Sequence, residues 1–170
     1  MAVTHATRPA EVPAFLDIEA SGFGRGSYPI EVGYVLPDGS SFCSLIRPAP
    51  HWTHWDPAAE RVHHIQRDML AQHGRSAIEV AQLLNDRLSG RTVFSDGWAH
   101  DYPWLGALYE EAEMAPSFKL DSLRSLLSER EARDWQATRA LMSYSMVGER
   151  HRASADARLL QSTLVRLRGG

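Results

Sequence analysis

The chain has 170 residues, a formal net charge of −3 and 44% apolar residues, the size and make-up of one soluble globular unit with a real core. Mild acidity argues against a basic surface that grips duplex nucleic acid regardless of sequence, so any contact with nucleic acid must be local. The single cysteine, Cys43, can close no internal disulfide and build no thiolate metal site, which excludes a disulfide scaffold and a zinc finger and points to the cytoplasm.

Residues 1–12 contain no apolar run of signal-peptide or membrane-span length and read as a flexible lead, with 13–170 as a single domain. Residues 13–18, Pro-Ala-Phe-Leu-Asp-Ile, are a short apolar run that exits into polar, glycine-rich sequence, as a buried strand does. Two further β-rich runs, 30–36 and 41–47, are joined by Pro37-Asp38-Gly39, where proline fixes one φ and glycine supplies a positive one. That is a hairpin, so the sheet is not purely parallel. Residues 48–74 are irregular and rich in histidine and tryptophan, and short helices and loops are expected there.

Ser76 and Glu79 form a capping box for a helix that carries Ile78, Leu83, Leu84 and Leu88 and stops at Gly90. Residues 92–95 return as a short strand, and a helix follows through Trp104, Leu105, Leu108 and Ala112. Then come a strand at 118–120, helices near 122–128 and 131–143, and a closing helix over 153–168. Strand, hairpin, then alternating helix and strand is the order of an α/β layer protein with a mixed sheet.

Asp17 and Glu19 stand two apart in the first strand, so both carboxylates project from one face near its end. Such a pair in a loop is commonly just solvated; here an apolar strand runs directly into it, and two like charges side by side call for a counter-cation. Asp156 shares a helical face with Leu159, Leu160, Thr163, Leu164 and Leu167. It reads either as a hydrogen-bonded acid favoured by a helix N-terminus or as a metal ligand. The small residues Ala153, Ser154, Ala155 and Ala157 around it would let this turn approach the sheet closely. Asp101 opens the helix after strand 92–95, where an acid is also favourable simply as a first-turn charge. His151, five residues before Asp156, can share a site with it only from the preceding loop.

These residues together resemble the histidine subtype (DEDDh) of the DEDD exonuclease superfamily, which includes RNase T, oligoribonuclease and proofreading exonucleases. The first motif is Phe15-Leu16-Asp17-Ile18-Glu19-Ala20 with the later Ile30-Glu31-Val32-Gly33. The second is Gly97-Trp98-Ala99-His100-Asp101, and the third is His151-Arg152-Ala153-Ser154-Ala155-Asp156-Ala157. Val62-His63-His64-Ile65 and Leu120-Asp121-Ser122-Leu123 resemble two shorter family segments. Gly97 stands where the family usually has asparagine, Ile18 where threonine is common, and His64 where glycine is common.

The resemblance implies a ribonuclease H-like α/β fold, a mixed five-stranded sheet with helices on both faces. It implies a 3′→5′ exonuclease that hydrolyses phosphodiester bonds at the 3′ end of single-stranded RNA or DNA. Asp17, Glu19, Asp101 and Asp156 would hold two divalent cations, Mg²⁺ or Mn²⁺, and His151 would act as general base. Ile18, Ala20, Phe23 and His63 would touch the substrate, with Phe23 stacking on a terminal base; ordinary packing is the other reading of Phe23. Trp52 and Trp55 would extend that surface or form a small satellite core. Small stand-alone members of the family are frequently homodimers, and none of this requires a membrane. The competing functions are a metal-dependent phosphatase acting on small phosphoesters and a degenerate module that binds nucleic acid or a partner without cleaving.

Overall fold

A computed structural model describes residues 11–146 and 152–169. Of the 1–12 lead, all but Glu11 and Val12 lies outside the described residues, as does His151.

The strand order is β3-β2-β1-β4-β5, with β1 (Ala14–Ala20) at the centre. β1 runs antiparallel to β2 (Pro29–Val35), which pairs antiparallel with β3 (Ser41–Leu45) across the expected hairpin. On its other side β1 is parallel to β4 (Thr92–Ser95), and β4 is parallel to β5 (Lys119–Ser122). The sheet is therefore mixed and five-stranded, with helices on both faces, as expected from the sequence.

Alternation along β1 decides what each face receives. Leu16 and Ile18 pack beneath α3 (Ala77–Leu88) and α4 (Trp98–Glu111), with Val80, Leu84, Leu88 and Leu108 fully buried. Burying a leucine of this kind contributes about 2 kcal/mol relative to leaving it in water. Phe15 points the other way and meets Trp135 of α5 (Glu129–Ser145) and Leu160 and Leu164 of α6 (Ala153–Leu167). Asp17 and Glu19 follow Phe15 at the two-residue period, so they emerge on the α6 face where the apolar packing ends.

Segment 48–74 forms two short helices, α1 (Pro57–His63) and α2 (Arg67–His73). Asp56 caps α1 by accepting from the Ala58 amide, with Pro57 at the first helical position. His64 ends α1 in the left-handed conformation at φ 57, a position that favours glycine because any Cβ crowds the following carbonyl. Trp52 and Trp55 pack on a small cluster of Tyr28, Ile30, Ile65 and Leu70, so the tryptophans form the satellite core rather than a groove wall.

Two expectations need correction. Residues 122–128 hold only a 3₁₀ turn, Leu123–Leu126, because Ser122 and Ser125 bond the local backbone and Ser128 already caps α5. The helix that carries Asp101 begins three residues earlier, at Trp98, with Gly97 as its uncapped N-terminal residue.

Candidate active site

The first strand delivers its two carboxylates as alternation requires, and a register shift between Glu19 and Ala20 ends the ladder there. What brings Asp156 to them is a backbone contact. Asp17 lies opposite Gly33 of β2, and a Cβ on Gly33 would overlap the Ser154 nitrogen and lie 2.5 Å from the Ala153 carbonyl carbon. Only glycine on β2 and a small-residue first turn on α6 allow that approach. Glu31, fully buried two residues before Gly33, completes the joint. Its Oε2 accepts from the Ala153 amide at 2.9 Å, and its Oε1 lies 2.7 Å from Arg152 Nε. A strand carboxylate thus caps a helix that has no side-chain cap of its own.

Ligand oxygens of Asp17, Glu19 and Asp156 consequently lie within 4.8 Å of one another. Asp101 is outside that trio but lines the same cleft of about 360 Å³. It is buried, and its Oδ2 has no hydrogen-bond partner among the described residues. Gly97 leaves the space beside it open, since a Cβ there would sit 3.4 Å from that oxygen. Ile18, Ala20, Phe23 and His63 also line the cleft, so the structure gathers every described residue of the expected site. His151, the expected base, lies outside the described residues.

Crowded carboxylates ringed by protein hold their protons. Burial, then Asp101, Glu19 and Asp156, push Asp17 well above its ordinary range, against a smaller opposing pull from Arg139. Burial, then Asp156, Glu31 and Asp101, raise Glu19 to about 7. Asp101 also rises to about 7, through burial opposed by the Ser95 hydroxyl and reinforced by Asp96. Several negative groups with too few positive ones form a cavity that a cation would complete. The donors are all carboxylate oxygens, which suit hard divalent ions such as Mg²⁺ or Mn²⁺.

Above the acids, Phe23 is 66% exposed and forms an aromatic lip with His100 and Trp104, at centroid distances of 4.9 and 5.8 Å. Trp104 Nε1 donates to Ser27 Oγ at 2.9 Å, tying the glycine-rich loop after β1 to α4. His63 is buried, accepts the Ile65 amide on Nδ1 at 3.0 Å and is held below its ordinary value by burial, so its ring is neutral at pH 7. A larger open groove of about 1060 Å³ lies between α5 and the end of α6, but among the described residues only Glu131 and Asp134 bring carboxylates to it, and volume alone does not mark a site.

Sequence reasoning missed His100, Trp104 and Arg139. His100 and Trp104 flank Asp101 on α4, and a helix wheel about Asp101 could have flagged Trp104. Arg139 had no distinguishing signal among so many arginines.

No protein-family model matches the chain, and no curated protein matches it. Solved structures do match in fold. An Exonuclease I from Methylocaldum szegediense superposes with a TM-score of 0.68 at 18% identity, over 92% of this chain and 40% of that one. E. coli Exonuclease I in complex with a dA16 oligonucleotide gives 0.70 at 13% identity, over 92% and 41%. The zinc-bound form of the E. coli enzyme with single-stranded DNA gives 0.70 at 13%, over 92% and 40%. At these identities the likeness is one of fold, and the chain spans about two fifths of the length of those neighbours.

Proposed function

We propose that residues 13–170 form a metal-dependent 3′→5′ exonuclease of the DEDDh type that acts on single-stranded nucleic acid in the cytoplasm. The observation that carries this reading is the meeting of Asp17, Glu19 and Asp156, from a central strand and a distant helix, within 4.8 Å in a cleft that Asp101 also lines. The fold shared with Exonuclease I structures holding single-stranded oligonucleotides supports it and makes single-stranded DNA the first substrate to test.

In this reading Asp17, Glu19, Asp156 and Asp101 would together hold two divalent ions. Such ions stabilise charge on the attacking and leaving oxygens of a phosphodiester and make water acidic enough to react at neutral pH. The protein's own contributions are distinct. Glu31 and Gly33 fix the first turn of α6 against the sheet and so set the position of Asp156. His151 takes the proton of the attacking water, a task suited to imidazole near neutrality. Phe23, with His100 and Trp104 behind it, stacks on a terminal base through a contact that any base can make. Ile18 and Ala20, on the cleft floor beside the acids, pack against the terminal nucleotide, and neutral His63 faces it from α1.

The test is degradation of 5′-labelled single-stranded DNA and RNA with Mg²⁺, with Mn²⁺ and with chelator, using Asp17→Ala as control. Metal-dependent shortening from the 3′ end that the variant lacks is the expected result. Cleavage of phosphomonoesters alone would instead identify a phosphatase, and binding without degradation would identify a non-catalytic module. A homodimer, frequent among small exonucleases of this type, is checked by the mass of the protein in solution.

A further inference from the structure

Arg139 enters the cleft from α5, a helix outside the acidic motifs. Its position follows from helical spacing, since Trp135, one turn earlier, is the buried anchor of α5 and Arg139 follows on the same face. Among the described residues it is the only arginine or lysine that lines the carboxylate cleft.

Part of its hydrogen-bonding capacity is unspent among the described residues. Nη1 lies 3.4 Å from Asp96 Oδ2, a long contact, and Nε is buried with no hydrogen-bond partner among the described residues. A guanidinium presents five N–H donors in a planar fork. Leaving one of them buried and unmatched is unfavourable unless an acceptor arrives.

The charges in the cleft identify the acceptor. With the four carboxylates neutralised by bound cations, Arg139 would be the one arginine or lysine left on the cleft wall among the described residues. The group that must then lie against the carboxylates is a phosphate, and the fork geometry of arginine matches two phosphate oxygens. Resting on the exonuclease reading, we infer that Arg139 binds the phosphate attacked by water, which leaves as the 5′-phosphate of the released nucleotide.

Arg139→Ala and Arg139→Met, the latter keeping the apolar stem against α5, are compared with the wild type in two assays. The first is competitive inhibition by a nucleoside 5′-monophosphate and by the corresponding nucleoside. The second is Mn²⁺ binding without substrate, followed by calorimetry. Both variants are expected to weaken the monophosphate about ten- to hundredfold, the range of a lost charge-assisted pair, while leaving the nucleoside affinity unchanged and altering Mn²⁺ affinity far less. Arg139→Lys, which keeps a point charge and loses the fork, should fall between them and the wild type. Unchanged monophosphate affinity in the folded Ala or Met variant overturns the inference, as does an equal loss of Mn²⁺ binding, which would make Arg139 a structural counter-ion. If the wild type degrades oligonucleotides and these variants bind monophosphate normally, the exonuclease reading stands and only the role of Arg139 fails. A wild type that neither degrades nor binds removes both.

Discussion

Glu19→Gln should stabilise the metal-free protein, by a margin that grows as pH rises from 4.5 and levels off above about 7. Folding raises the Glu19 carboxyl from its ordinary value of 4.5 to about 7. The folded state therefore binds this proton more tightly than the unfolded chain does. The resulting stability is fully present below pH 4.5 and is lost as pH rises to about 7, where the folded carboxyl ionises. Each tenfold change in an ionisation equilibrium is about 1.4 kcal/mol, so keeping Glu19 ionised at pH 8 costs about 3 kcal/mol as a ceiling, reduced by its partial exposure to water. Glutamine removes that pH-dependent penalty and also relieves Asp17, whose proton Glu19 helps to hold. The assay is denaturant unfolding in chelator between pH 4.5 and 8, followed by tryptophan fluorescence. Relative to the wild type, the variant should gain about 2–3 kcal/mol over that range, or about 5–10 °C in Tm for a chain of this length. Mn²⁺ should reverse the order once it is held about a thousandfold above its Kd for the wild type, where it stabilises the wild type by about 4.1 kcal/mol. A difference between variant and wild type that is constant with pH, or that shrinks as pH rises, would refute the account of a strained acidic cluster.

Gly33→Ala should destabilise the fold by about 2–3 kcal/mol or more, because its Cβ meets the backbone of α6; a melting curve like that of the wild type would deny the close approach. His64→Gly should raise stability by about 1 kcal/mol, through relief of a left-handed residue, and an unchanged or lower Tm would contradict that conformation. His151→Ala should retain Mn²⁺ binding in calorimetry while turnover falls about 10²- to 10⁴-fold; near-normal turnover would remove it as the base. Phe23→Ala should raise the KM for oligonucleotides about 5- to 100-fold, from the loss of one stacking contact, with Mn²⁺ affinity unaffected, and a changed kcat at constant KM would argue against stacking.

Much of this molecule follows from local rules read along the chain. Alternation places Asp17 and Glu19 on one face of a strand. Pro37-Asp38-Gly39 turns the chain into a hairpin, and Ser76 with Glu79 starts a helix by satisfying its first free amides, a box the structure contains. The acids of the site could be named because their spacing pattern is local within each motif. Their meeting could not be derived that way, since it depends on contacts between residues far apart in sequence. Gly33 must admit the backbone of Ser154, Glu31 must reach the Ala153 amide across 122 residues, and β1 must pair in parallel with β4 so that α4 starts beside it. Trp52 and Trp55 show the same limit, since their composition suits a groove or a core equally and only packing on Tyr28 and Ile30 decides between them. Arg139 shows it most clearly. An arginine on a helix carries the same local signal whether it faces water or a cleft, and the choice is made by Trp135 anchoring α5 in the tertiary fold.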